Sequence, residues 1–222
     1  MRFFGFNPLL GLLCLYDEVR GERRFGLQTT GVEKPRTDRP NAAVRYAYSY
    51  MPVNFVLMDR LLNEMKRHAH NGTFLDLGCG KGRAMILAAH AGFEQVAGVE
   101  LMETHCADAR RQIEKHQPAL PAVRFAVHAG DAALFPVHPS TEVFFLYNPF
   151  RAPVMERVIS NIEASLRQYP RTIYILYANP LLKHLFLSEG YNEVYHTSRF
   201  NYMHGCILKK TNPSPDRQPP SV

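Results

Sequence analysis

Apolar runs of strand length recur from residue 73 onward, at 73–77, 95–98, 123–127, 143–147 and 172–177, with segments of helical period between them. That alternation predicts βαβ units and a mostly parallel sheet. The run Val143-Phe144-Phe145-Leu146-Tyr147 is apolar throughout, as expected of a strand covered by helices on both faces. The covering helices show by their period. Met58, Leu61, Leu62 and Met65 precede the first strand, residues 84–90 follow it, and Cys106, Ala109 and Ile113 form a weaker stripe; Val154, Val158, Ile162 and Leu166 form a stronger one. After residue 177 the rhythm changes. A short helix over 181–188 ends near Gly190, and strands at 191–198 and 202–209 are separated only by Arg199-Phe200-Asn201. So short a connection permits only antiparallel pairing. The expected architecture is α/β in three layers, with a mostly parallel seven-stranded sheet and a C-terminal antiparallel hairpin.

The flanks carry less pattern. Residues 3–16 are largely apolar, but only Arg2 precedes them, Asn7 and Pro8 interrupt them, and no small-residue cleavage site follows. They read as a packing segment. No run approaches the roughly 18 apolar residues of a membrane span, so no membrane partner is expected. Tyr46, Tyr48, Tyr50 and Pro52 stand just before the first helix. Residues 1–52 are therefore expected to form an extension, either a lid over the site of the main domain, 53–210, or amphipathic packing. The tail, 211–222, with Pro213, Pro215, Pro219 and Pro220, is expected to be disordered.

Composition adds modest limits. The chain carries a net charge of +6, and residues 1–72 hold eleven Lys and Arg against seven Asp and Glu. A basic N-terminal third attracts anionic partners weakly, but no Lys/Arg run interleaved with aromatics marks a nucleic-acid platform. Cys14, Cys79, Cys106 and Cys206 are scattered, which points to neither a zinc site nor a disulfide framework. Reduced thiols and a cytoplasmic location are expected.

The chemistry concentrates in Phe74-Leu75-Asp76-Leu77-Gly78-Cys79-Gly80-Lys81-Gly82-Arg83, an apolar strand running through a glycine turn into a helix. Such a turn lets backbone approach a ligand, and the helix N-terminus behind it offers free N–H groups. The spacing G-x-G-x-G departs from the dinucleotide fingerprint G-x-G-x-x-G, and Gly82 stands where a P-loop needs Ser or Thr. A nicotinamide dehydrogenase and a phosphate-cradling NTPase are thereby disfavoured. Glu100 ends the second strand, about twenty residues on, where a carboxylate can accept ribose hydroxyls. Gly130-Asp131 ends the third strand and Tyr147-Asn148-Pro149-Phe150 the fourth.

In this order the motifs resemble those of the class I, Rossmann-like S-adenosylmethionine-dependent methyltransferases, over roughly residues 53–209. The resemblance implies a three-layer methyltransferase fold and S-adenosylmethionine as cofactor. Asp76 and the turn Gly78, Cys79, Gly80 and Gly82 would hold its methionine part, Glu100 its ribose and Asp131 its adenine. Leu101, Ala132 and Asn148 complete the implied cofactor-binding set. Tyr147, Asn148 and Phe150 form the implied acceptor site, with Tyr177, Asn179 and Pro180 beside them. Family members that methylate planar nitrogens carry two prolines in the fourth motif, whereas one proline separates Asn148 from Phe150 here. The methyl acceptor is left open among a protein side chain, a nucleic acid and a small molecule, as is the oligomeric state.

A sulfonium methyl is already electrophilic, so positioning and exclusion of water supply most of the rate and a base is optional. His128, His184, His196 and His204 are the candidate proton acceptors. The alternatives kept open are a non-catalytic cofactor-binding module and an aminopropyltransferase, although no acidic signature of the latter is seen.

Overall fold

The computed structural model describes residues 8–33, 48–68 and 72–212. Tyr46 and residues 213–222 of the expected tail lie outside the described residues. Strands β1 (Thr73–Leu77), β2 (Gln95–Glu100), β3 (Arg124–Ala129), β4 (Thr141–Tyr147), β5 (Thr172–Ala178), β6 (Asn192–Arg199) and β7 (Met203–Thr211) form one sheet, ordered β3-β2-β1-β4-β5-β7-β6. The first five pair in parallel, and β7 runs antiparallel to both β5 and β6. The expected α/β architecture and hairpin are both present. Thr211 pairs with Thr172, so the first residue of the expected tail belongs to the sheet.

The helices are α1 (Pro8–Phe25), α2 (Phe55–Met65), α3 (Arg83–His90), α4 (Glu103–His116), α5 (Ala152–Gln168) and α6 (Lys183–Ser188). Strand β4 shows how they cover the sheet. Val143 and Phe145 pack into a core with Met58, Leu61 and Met85, while Phe144 and Leu146 pack into a second core with Val154, Val158 and Ile162. Each large side chain so buried contributes roughly 1.5–3 kcal/mol. Asn54 starts α2, its Oδ1 accepting the N–H groups of Val56 and Leu57 at 3.0 and 3.2 Å.

Register brings the functional strand ends level. Asp76 sits opposite Gly98 on one side and Phe145 on the other, and Glu100 sits opposite Ala129. Strand order reverses between β1 and β4, which opens the crevice where ligands of such sheets bind.

Helix α1 corrects the packing reading of the N-terminal apolar segment. Its inward side is apolar and half-buried at Leu10, Leu13 and Cys14 but charged beyond them: Asp17 pairs with Arg199, and Glu18 and Glu22 pair with Arg83 at 2.8 and 3.1 Å. Gly21 lies so close to Phe55 that an added Cβ would fall 2.2 Å from its ring. Leu9, Leu12, Leu15, Tyr16 and Val19 are left exposed. The buried guanidinium of Arg83 requires counter-charges, and these orient the helix.

Candidate functional site

The C-terminal ends of β1 to β4 and the segment 48–53 surround one cleft, which spans about 990 Å³ counted out to its mouth. Asp76, Gly78, Cys79, Glu100, Leu101, Asp131, Ala132, Tyr147, Asn148 and Phe150 all line it. Gly80 and Gly82 are absent from this lining. Gly80, at φ 52°, lies beneath Tyr50, and an added Cβ would fall 2.3 Å from the ring. Gly82 caps α3 in the left-handed region and packs against Ala109 of α4. The turn is thus sandwiched between a covering tyrosine and a neighbouring helix, and only glycine fits both the space and the dihedral angle.

Three carboxyl groups face this space in different states. Glu100 accepts the Gly80 N–H at 2.9 Å and the Met102 N–H at 2.8 Å, which locks the glycine turn to the end of β2. Asp131 accepts the Ala133 N–H at 2.9 Å and so also shapes its own turn. Asp76 is buried, and burial, followed by the nearby Glu100 charge, pushes its pKa well above the usual carboxylate range. A cation beside Asp76 would relieve that strain.

Across the crevice, Asn148 adopts the left-handed region at φ 43°. Its Oδ1 is buried and has no hydrogen-bond partner. Pro149 O accepts the Tyr48 N–H at 3.3 Å, tying the segment 48–53 to this loop. Tyr147 is held largely out of water, which raises its phenol pKa to about 12.

The segment 48–53 is anchored on both sides. Tyr50 bridges to Glu33 through paired backbone hydrogen bonds and donates its hydroxyl to Thr29 O at 2.6 Å. Glu33 pairs with Lys81 of the glycine turn and with His105 Nε2 at 3.1 Å. Burial opposes protonation of His105, but Glu100 and Glu33 outweigh it and raise its pKa. Arg83 completes the frame, donating to Thr29 Oγ1 at 2.7 Å and Val53 O at 2.8 Å. Burial raises the pKa of Glu18 against the pull of Arg83, whereas the Thr29 and Thr30 donors with Arg83 hold Glu22 below its ordinary value despite burial.

Residues 74–169 match the family model for a methyltransferase domain. Over these residues the chain is similar to a methyltransferase domain. Solved structures share the fold at low identity. A methyltransferase from Pyrococcus furiosus aligns with a TM-score of 0.55 and 18% identity, over 89% of this chain and 95% of that one. A SAM-dependent methyltransferase from Aquifex aeolicus gives 0.54 and 12%, over 68% and 88%. An RNA methyltransferase from Salinibacter ruber, in complex with S-adenosyl-L-homocysteine, gives 0.50 and 17%, over 78% and 99%. No curated protein matches this chain by sequence.

None of His128, His184, His196 and His204 lines the cleft, and neither do Tyr177, Asn179 and Pro180. Tyr177 is fully buried, and its hydroxyl accepts the Leu182 N–H at 3.4 Å. The histidine that does line the cleft is His105, together with Glu33, Arg83 and Met102. Sequence reasoning missed these four. His105 lies in the first turn of α4 and Arg83 opens α3, helices that follow recognised motifs, and that position was the available signal. Among the described residues no cluster suits a metal ion, and no helix is long and apolar enough to cross a membrane.

Proposed function

We propose that this methyltransferase transfers the methyl group to a nitrogen atom, with Asn148 receiving the acceptor. The observation that carries the reading is the buried Asn148 Oδ1, which lacks a donor and lines the cleft. A buried carbonyl oxygen without a partner costs about 1–3 kcal/mol, and an acceptor N–H supplies the missing hydrogen bond. Phe150 gives an apolar wall beside it. Together they turn a lone pair toward the donor side of the crevice.

The other roles follow from charge. S-adenosylmethionine, when bound, supplies an electrophilic methyl on a sulfonium cation. Asp76 is the site for its cationic methionine end, because that carboxyl is buried at the cleft, its pKa is raised by burial and by Glu100, and an adjacent cation would favour its charged form. Glu100 keeps lone pairs beyond its two backbone donors to accept ribose hydroxyls, and Asp131 accepts from the adenine. Gly78 and Cys79 border the methionine end, with Leu101 and Ala132 beside the ribose and base. In this reading Gly80 and Gly82 shape the turn from behind. Residues 48–53 act as a lid that excludes water, with Tyr50 seated on the glycine turn. Proton removal is left to solvent, since no histidine of the expected set reaches the cleft and His105, which does, is engaged with Glu33.

Titration calorimetry with S-adenosylmethionine, followed by a mass-spectrometric search for methylated products in cell extract, tests the proposal. Saturable binding that Glu100→Ala abolishes, with products methylated at nitrogen, is the expected outcome. Binding without any product would make the protein a non-catalytic cofactor module. Products methylated only at oxygen or carbon would remove the role given to Asn148.

A further inference from the structure

We infer that the outer face of α1 docks on an anionic phospholipid surface. Leu9, Leu12, Tyr16 and Val19 follow one another at three- and four-residue intervals, with Leu15 beside them, and form a single stripe. They are exposed by 62, 65, 60, 43 and 58%, respectively, which is unusual for five large apolar side chains on one helix. The stripe runs along roughly 15 Å of helix.

Charge identifies the occupant. All three acidic residues of α1 are committed inward, Asp17 to Arg199 and Glu18 and Glu22 to Arg83. Arg20, Arg23 and Arg24 are exposed. The outward side of α1 is therefore apolar and cationic with no exposed acid. That is the pattern of a helix lying in the interface plane of a bilayer, apolar side chains among the acyl chains and guanidinium groups at acidic head groups. A second copy of the chain fits less well. Parallel pairing of two α1 helices sets arginines against arginines, and antiparallel pairing sets them against leucines, with no carboxylate on the stripe to meet them.

The surface is also mechanically joined to the cleft. Arg83, which holds Glu18 and Glu22 of α1, is the first residue of the helix after the glycine turn and lines the cleft itself. A docked α1 therefore presents the methyl-transfer site at a fixed height from the lipid head groups.

Flotation of the full chain with vesicles of phosphatidylcholine, alone or mixed with phosphatidylglycerol, tests this. Association only with the mixed vesicles, weakening as salt rises, is the expected result. Leu12→Gln combined with Tyr16→Gln should abolish it. Neutralising Arg20, Arg23 and Arg24 to Gln together should weaken it roughly 100-fold, at about 1 kcal/mol for each basic residue near the surface. Both sets lie on an exposed face, so thermal midpoints and cofactor affinity should match the wild type. Three results would overturn the inference: no flotation of the folded wild type, flotation indifferent to both variants, or a concentration-dependent dimer in light scattering that L12Q/Y16Q disrupts while vesicles remain unbound.

Discussion

The two halves of the sheet rim are built from opposite materials. The ends of β1, β2 and β3 carry carboxyl groups, and two of these, Glu100 and Asp131, already hold backbone N–H groups in the structure described here. The ends of β4 and β5 carry amides, Asn148 and Asn179, each in the left-handed region and each followed by proline. Asn179 is tied by its N–H to His204 O at 2.7 Å and stays outside the cleft, whereas Asn148 leaves a buried oxygen unmatched inside it. The carboxylate half is assembled before any ligand arrives. The amide half keeps one unsatisfied hydrogen-bond acceptor, and in the proposed function that asymmetry separates holding the donor from engaging the acceptor.

Substitutions can break this division at either end. Asn148→Ala should lower turnover by about 100- to 1000-fold, the cost of removing one positioned polar group from the transition state. Donor affinity from calorimetry should move by less than about threefold, since truncating this amide removes no charge contact. Glu100→Ala should do the reverse. Losing charge-assisted hydrogen bonds of about 1.5–3 kcal/mol each should weaken donor binding on the order of 100-fold or more. Equal losses of binding and turnover in both variants would erase the contrast.

Asp76→Asn sharpens the same contrast through stability. The folded-state pKa of Asp76 is raised above its unfolded value, so the folded state binds the extra proton and stability falls as pH rises from the ordinary carboxylate range toward the raised pKa. The neutral amide escapes that penalty. The variant should be more stable than the wild type at neutral pH while binding donor poorly, which thermal scans across pH would reveal as a flattened profile. Asn179→Ala should cost about 1 kcal/mol through its backbone conformation alone, with turnover unchanged. The smallest effect belongs to His105→Gln. Its folded pKa is raised, so the contribution of His105 to the Glu33 latch is fully present below about pH 6.5 and fades as pH rises through the raised value. Amide exchange in residues 48–53 should show that pH dependence in the wild type and lose it in the variant.

The carboxylate half was far more legible in the sequence than the lid and α1. Parallel strands buried on both faces must be apolar throughout, and the polar residue at each end then stands out, as Asp76, Glu100 and Asp131 do, and Asn148 in the other half. Helix α1 gave the opposite impression, because Leu9 to Tyr16 resemble core. Its orientation is set by Arg83 and Arg199, and Arg199 lies 182 residues from its partner Asp17. No local period encodes a pairing over that distance. The same holds for Tyr50, whose position over Gly80 depends on its bridge to Glu33, and for His105, whose partners come from three separate segments.

The order of the strands bears on how the chain folds. β7 is the last strand in the sequence, yet it lies inside the sheet between β5 and β6. Until residues 203–211 have emerged, β5 has an open edge and β6 has no neighbour, and the Arg199 that grips α1 has no fixed position. A nascent chain therefore exposes a long apolar edge to other chains late in synthesis, a window in which edge-to-edge aggregation competes with closure. Assembly of the sheet waits for its final strand, so a chain cut before Met203, which lacks all of β7, should lose the whole fold rather than one strand.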